Sequence, residues 1–177
     1  MKDLILTYEQ ALIAIDEGIW DWDELTRNLP RNTLPAVLEE LEASSLMFFD
    51  DGYSAELAHA LTVAWVMAEF PEQYVSRKTW IRWFRQVGYI VNGDAADPPE
   101  QVTLFRGGVH FDRMAWTSGR FVAEWFRDRW PNGKLWAATV PADRLLAHVN
   151  NLRLEESGRS EDEYIIDPTG LRPKEIR

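Results

Sequence analysis

The change from a helical to a strand-like hydrophobic pattern, close to residue 98, most constrains how this chain can fold. Before it, apolar side chains recur at helical spacing; after it, they gather in short runs of β-branched and aromatic residues. The patterns meet at NGDAADPP, residues 92–99, a composition typical of a connector. Because helices come first and strands follow, we predict an α+β fold with a helical part at residues 1–98 and a β-core at residues 99–177.

Capping residues and prolines divide the first part into five expected helices. These helices end near Glu17, Asn28, Ala43, Phe70 and Val87. The fourth, residues 55–70, is capped by Ser54 and closed by Pro71, and its apolar residues on several faces place it at the centre of the helical core. The expected buried face of the third helix consists of Leu34, Val37, Leu38 and Leu41.

The second part is expected to combine short strands with one longer helix. Strands are predicted at residues 102–105, 113–117, 135–140, 147–152 and 161–166. Ser118 is the expected cap of a helix that ends near Trp130, and Pro141 opens a short helix that ends near Leu146.

Composition excludes several kinds of site. The chain has no cysteine, so disulfides and thiolate chemistry are excluded, and its three histidines, His59, His110 and His148, lack metal-ligand spacing. We therefore predict no metal site. No secretory signal is visible, and the apolar stretch 57–68 is too short to cross a bilayer, so the expected location is cytoplasmic, without membrane contact.

Charge is unevenly divided along the chain. The net charge is −10, but residues 1–100 contain 7 Lys and Arg against 18 Asp and Glu, whereas residues 101–177 contain 12 against 11. An acidic chain is poorly suited to bind a nucleic-acid backbone unaided, while the near-neutral second part can hold a small anion. The acidic part either keeps the protein in solution or attracts a basic partner protein.

An acidic cluster, Glu161-Asp162-Glu163, precedes the apolar residues of the last predicted strand. In an extended segment Glu161 and Glu163 point to one face and Asp162 to the other. Two close carboxylates repel each other unless a cation, a ligand or a shared proton relieves them, so such pairs often mark acid–base chemistry. A solvated turn before a strand is the alternative.

Three motifs now follow in order: Phe105-Arg106-Gly107-Gly108 at a strand end, Trp116-Thr117-Ser118 before a helix, and Glu161-x-Glu163 before a late strand. In this order they resemble the ADP-ribosyltransferases of the Arg–Ser–Glu class, and the likeness covers residues 102–171. The surrounding residues are similar to those of small bacterial and phage members. The family's usual Ser-Thr-Ser is replaced by Trp116-Thr117-Ser118 or by Ala115-Trp116-Thr117, depending on the alignment.

The resemblance implies a β-core that cleaves the bond between nicotinamide and ribose in NAD, used as co-substrate. It implies that Glu163 stabilises the positive charge that develops on the ribose, and that Glu161 orients or deprotonates the acceptor. Thr117 and Ser118 would hydrogen-bond the catalytic carboxylate, and so fix its rotamer, or would bind the nicotinamide ribose. A Glu in the first position of that motif favours arginine as the acceptor.

The same resemblance implies the residues that bind NAD. Arg106 would hold the pyrophosphate, with Gly107 and Gly108 allowing backbone N–H groups to approach it. Aromatic rings of Trp116, Phe121 or Phe126 could stack on nicotinamide or adenine, although a residue of this kind is more often part of the core.

The expected function is mono-ADP-ribosyl transfer to a macromolecule, preferably a protein, as a toxin-like or phage effector; a nucleic-acid acceptor stays open. One alternative is an NAD glycohydrolase that uses the same site with water. Others are a catalytically silent module whose acidic helices bind a basic partner, and a helical interaction domain unrelated to NAD.

Overall fold

The computed structural model describes residues 9–10, 13, 17, 27–43, 54–150 and 161–177. In these residues the chain forms an α+β protein with five α-helices and an eight-stranded mixed sheet. It divides into two compact units, Met1–Val87 and Gly88–Arg177. This division falls earlier than the boundary placed in the 92–99 connector, because residues 88–98 contribute the first two strands of the sheet.

Four helices form the described part of the first unit. They are α1 (Leu34–Ala43), α2 (Ala55–Met67), α3 (Pro71–Tyr74) and α4 (Arg77–Val87). The cap predicted at Ser54 is confirmed, since the Ser54 hydroxyl accepts a hydrogen bond from Leu57 N at 3.2 Å.

Packed indoles and leucines fill the core of this unit. The Trp80 ring meets Trp65 edge-on with centroids 5.2 Å apart, and meets Trp83 in the same way at 5.3 Å. The face predicted for the third helix is buried as expected and consists of Leu34, Val37, Leu38 and Leu41.

The last two predicted helices of this unit are bounded differently. The helix predicted at 55–70 ends at Met67, and Pro71 opens α3 instead of only closing the preceding helix. The helix predicted at 72–87 is divided because Val75 is extended and the Ser76 hydroxyl accepts from Thr79 N at 3.1 Å, as the N-terminal residue of a new helix does.

The second unit contains eight strands and one α-helix. The strands are β1 (Ile90–Val91), β2 (Asp94–Ala95), β3 (Gln101–Gly108), β4 (Ala115–Thr117), β5 (Lys134–Pro141), β6 (Leu145–Val149), β7 (Glu163–Ile166) and β8 (Lys174–Ile176). The helix, α5, is Arg120–Asp128. The spatial order of the strands is β2-β1-β6-β7-β4-β3-β5-β8. Strands β1 and β6 are parallel, and the other neighbours are antiparallel.

The two faces of this sheet differ. One face carries the main hydrophobic cluster, which consists of Leu104, Trp116, Trp136, Val140, Leu145, Tyr164 and Ile166. On the other face α5 packs against β3 at Gly107, where an added Cβ would lie 1.8 Å from the carbonyl oxygen of Ala123. The close approach of helix and strand therefore depends on glycine at this position.

Two local expectations for this unit are wrong. The residue that caps α5 is Gly119 and not Ser118, because the Ser118 hydroxyl bonds Asp162 instead. The short helix expected after Pro141 is only a 3₁₀ turn at Ala142–Arg144, and the chain becomes extended again at Leu145. The expected helix itself is confirmed: α5 ends at Asp128, two residues before the expected end near Trp130.

Outside the described residues lie most of the two helices expected to end near Glu17 and Asn28, a turn expected at residues 50–52 and a polar loop expected at residues 153–160. None of the helices in the described part of the chain has the length and apolar character needed to span a bilayer.

Candidate functional site

The three sequence motifs lie on three neighbouring strands. Strand β4 is placed between β3 and β7. Thr117 is paired with Phe105 of β3 on one side and with Glu163 of β7 on the other. Because directly paired residues project to the same face, Phe105, Thr117 and Glu163 form a row across the sheet.

The residues before β7 are fixed to β4 by hydrogen bonds. The Thr117 hydroxyl donates to the carbonyl oxygen of Glu161 at 2.7 Å and accepts from Gly119 N at 3.0 Å. Ser118 N donates to the carbonyl oxygen of Asp162 at 3.4 Å. Thr117 and Ser118 thus hold the backbone of the acidic cluster at the place where α5 begins.

Asp162 interrupts the extended conformation expected for the cluster. Its φ is +45°, in the left-handed region, and β7 begins only at Glu163. The simple alternation that would place Glu161 and Glu163 on one face therefore does not apply, since it requires an extended residue between them. Glu161, Asp162 and Glu163 are each partly buried, so the cluster is not a fully solvated turn.

The environment of Glu161 favours its protonated form. Burial raises the pKa of the Glu161 carboxyl above its ordinary value, and the positive charge of Arg129 opposes part of that shift. The Arg129 guanidinium also lies over the Trp125 ring, 5.0 Å from its centroid. An acid–base group and a cation therefore act on each other near the C-terminal end of α5.

Arg106 does not share the face of Glu163. It follows Phe105 and pairs with Trp136 across β5, so its side chain starts on the face opposite Thr117 and Glu163. Its Nε donates to the carbonyl oxygen of His110 at 2.7 Å, and its Nη1 donates to that of Ala115. Arg106 therefore fixes the loop that joins β3 to β4.

The two glycines after Arg106 have different surroundings. Gly107 lies directly under α5, where a Cβ would also be 2.5 Å from Arg127 N, so its small size serves helix packing. Gly108 has a φ of +136°, which side chains other than hydrogen rarely allow, and a Cβ there would meet no atom within 4 Å. The approach of backbone to a ligand, expected for both glycines, fits Gly108 better than Gly107.

The aromatic residues expected to stack on a ligand differ in exposure. Trp116 is buried in the hydrophobic cluster, and its indole N–H donates to Arg113 O at 2.9 Å, so its ring is part of the core. Phe126 is partly buried and packs edge-on against Trp125, with centroids 4.9 Å apart. Phe121 is 62% exposed on α5. Phe126 and Phe121 keep accessible ring surface that Trp116 does not have.

The carboxylate of Asp162 contributes to raised pKa values of two tyrosines, Tyr89 and Tyr164. Burial raises the pKa of Tyr89 to about 12, and Tyr164 and Asp162 act in the same direction. Burial also raises the pKa of Tyr164, with Asp162 adding to the shift. The negative charge of Asp162 is thus felt on the face that carries Tyr164.

A raised tyrosine pKa predicts an alkaline loss of stability. Between about pH 10 and pH 12 the unfolded chain releases the Tyr89 proton while the folded chain retains it, so the free energy of unfolding falls as the pH rises. Tyr89→Phe removes this contribution. We expect urea unfolding of the variant to depend less on pH than that of the wild type between pH 10 and 12; identical pH slopes would contradict the assignment.

The structure adds Asp162, His148 and Arg129 to the site that the sequence outlined. The sequence predicts that Asp162 points to the face opposite Glu161 and Glu163. The only role that it suggests for His148 is that of a metal ligand, for which the spacing is unsuitable. Nothing in the sequence placed Arg129 near Glu161. In the described part of the chain, no three His, Cys, Asp or Glu side chains are grouped so that they could hold a metal ion.

Comparison with protein-family models finds no match for this chain, and the same holds for comparison with curated proteins and with solved structures. The interpretation of the site therefore depends on its own geometry and on the order of its motifs.

Proposed function

We propose that this protein is a mono-ADP-ribosyltransferase that uses NAD to modify a macromolecular acceptor. The observation that carries the proposal is the row Phe105–Thr117–Glu163, which joins the three motifs across neighbouring strands in register. Thr117 and Glu163 are more than 40 residues apart in the sequence, so it is the fold that brings their motifs together. Partly buried carboxylates beside a hydroxyl suit a reaction that develops positive charge.

Glu163 is assigned the stabilising role. It is partly buried, and its backbone is held in β7 by pairing to Thr117 on one side and to Val149 on the other, so the strand that carries the carboxylate is in place before the substrate binds. The bond between ribose C1′ and the nicotinamide nitrogen breaks, and its electron pair leaves with nicotinamide. Glu163 stabilises the positive charge that remains on the ribose in this transition state.

Glu161 is assigned to the acceptor. As the acceptor nucleophile forms its bond to ribose C1′, Glu161 takes the proton that the nucleophile loses. A carboxyl whose pKa is raised by burial is a better base than an ordinary exposed carboxylate once it is ionised. A protein arginine is the preferred acceptor, because the resemblance associates a Glu at the position of Glu161 with arginine targets.

The resemblance assigns Arg106 to the pyrophosphate, although its side chain starts on the sheet face opposite Glu163. The guanidinium of Arg106 is permanently charged and donates to the His110 and Ala115 carbonyls, which holds the charge near the loop between β3 and β4. Arg106 lies near the end of β3, two residues before Gly108, where an added Cβ would meet no atom within 4 Å. Phe126 and Phe121 are the rings that we assign to stacking with a base of the dinucleotide.

The proposal is tested by transfer of label from NAD labelled on the adenylate side. The wild-type protein and Glu163→Gln are incubated with a cell lysate, and protein, nucleic acid and small molecules are separated. Label on protein that depends on Glu163 supports the proposal, while label on nucleic acid would change the acceptor class. Nicotinamide release with label only in free ADP-ribose would identify a glycohydrolase, and no release at all would contradict the proposal.

The influence of Arg129 on Glu161 predicts a pH effect on the rate. The acid limb of the rate profile should report a pKa above the ordinary glutamate value, since burial favours the protonated form of Glu161. Arg129→Ala removes the charge that lowers this pKa, so the limb should move to higher pH. Arg120→Ala, an exposed arginine on the same helix, should leave it in place. Either of two results would contradict the role given to Glu161: an acid limb that does not move in Arg129→Ala, or an acid limb that persists in Glu161→Gln.

A further inference from the structure

Asp162 connects three elements that are separate in sequence. Its Oδ2 accepts a hydrogen bond from the Ser118 hydroxyl, at the end of β4, and its Oδ1 lies 2.7 Å from Nε2 of His148 in β6. Because a carboxylate can only accept, the His148 ring nitrogen is the donor. One side chain thus bonds both neighbours of β7 at the point where that strand begins.

The partner His148 is itself held in place. Its side chain is only 14% exposed, and its ring stacks on Tyr164 with centroids 4.0 Å apart and planes 14° from parallel. Tyr164 pairs with His148 across β6 and β7 and with Trp116 across β7 and β4. The imidazole that bonds Asp162 therefore has little freedom to follow a displaced carboxylate.

The backbone of Asp162 has a conformation that needs such support. Its φ of +45° is uncommon for a residue with a side chain, although aspartate and asparagine adopt it more readily than most others. A left-handed residue between Glu161 and Glu163 sets how the two glutamates diverge. Residues in such conformations persist where the surrounding contacts fix them, and they concentrate at functional sites.

We propose that Asp162 is a positioning residue, whose carboxylate clamps the start of β7 between Ser118 and His148 and thereby sets the directions of Glu161 and Glu163. The catalytic consequence rests on the proposed function, whereas the clamp itself is a statement about the fold. Asp162 makes no contact with substrate in this account and acts through its two neighbours.

Two substitutions separate the carboxylate from the backbone conformation. Glycine and asparagine both accept a positive φ. Asp162→Gly removes the two side-chain hydrogen bonds, to Ser118 and His148, while Asp162→Asn keeps a side-chain oxygen that can accept from Ser118. We expect Asp162→Gly to lower the rate of nicotinamide release about 10- to 100-fold with the Kd for NAD changed less than about threefold. Asp162→Asn should recover part of the lost rate.

Asp167→Gly is the matched control. Asp167 is a buried aspartate just after β7, and its Oδ1 accepts from Thr169 N at 3.0 Å, so its removal also takes a carboxylate from an end of this strand. It should lower stability but change the rate per folded molecule less than about threefold. A similar loss of rate in both variants would overturn the positioning role.

Hydrogen exchange tests the clamp without any activity. Ser118 N–H donates to the Asp162 carbonyl oxygen, so its exchange should accelerate about tenfold or more in Asp162→Gly and not in Asp167→Gly. Unchanged exchange of Ser118 in Asp162→Gly would overturn the clamp. If the wild type releases no nicotinamide, the proposed function fails, and this exchange measurement still decides the clamp by itself.

Discussion

Glu163→Gln is expected to lower the rate constant of nicotinamide release about 100- to 1,000-fold, because an amide cannot supply the negative charge that stabilises the transition state. Glutamine has nearly the same shape, and the pairing of residue 163 with Thr117 and Val149 uses the backbone, so the fold should persist. Binding of NAD, measured by calorimetry, should change less than about threefold, since the charge is needed mainly after the bond begins to break.

The matched control for this prediction is Glu175→Gln. Glu175 lies in β8 of the same unit, is exposed, and pairs with Lys134 at 2.7 Å, so the same chemical change there removes only a surface ion pair. The control should keep the wild-type rate. Equal rates for Glu163→Gln and Glu175→Gln would show that the carboxylate of Glu163 has no part in the reaction.

Gly107→Ala is expected to destabilise the second unit by about 3 kcal/mol or more, because the new methyl group would overlap the backbone of α5. The nearest atom, Ala123 O, would lie 1.8 Å from the added Cβ, and a helix backbone cannot yield as a flexible side chain can. The measurement is urea unfolding without ligand, followed by tryptophan fluorescence, with the free energy of unfolding compared between variant and wild type.

Gly119→Ala is the control for this substitution. Gly119 has an ordinary backbone conformation, with φ −84° and ψ 101°, and its added Cβ would approach only side-chain atoms, of Val122 at 3.3 Å and of Thr117 at 3.5 Å. A loss of less than about 1 kcal/mol is expected there. If Gly107→Ala unfolds like the wild type but no longer binds NAD, the close approach at this position serves the ligand and the packing explanation is wrong.

Local patterns were sufficient to predict many of the elements. Short runs of apolar and β-branched residues located β3 and β5 within a few residues, and the spacing of Leu34, Val37, Leu38 and Leu41 identified the buried face of α1. These features depend on residues that are close in sequence, because a helix or strand buries the side chains that share its own period.

The geometry around Asp162 could not be predicted in the same way. The hydrogen bonds to Ser118 and His148 join residues 44 and 14 positions apart, and they compete with the helix-cap role that local pattern gave to Ser118. The parallel pairing of β1 with β6 is likewise non-local, and it moves residues 88–98 from the helical part into the sheet. In each case a distant partner overrides the conformation that neighbouring residues suggest.

The acidic composition of the first unit has two explanations. It either keeps the protein in solution or attracts a basic partner protein. Capture of a basic protein by residues 1–87, weakened by salt, would support the second explanation. Such capture together with an absence of NAD cleavage by the whole chain would favour a catalytically silent binding module over a transferase.

The most direct test of the central claim measures the release of nicotinamide from NAD by the purified full chain. A cell lysate supplies the acceptors, and the released nicotinamide is quantified by chromatography. The proposed function predicts that the wild type releases nicotinamide above the lysate background. It predicts that Glu163→Gln loses this release and that Glu175→Gln keeps the wild-type rate. Wild-type protein that is folded by circular dichroism but releases no nicotinamide above background would contradict it.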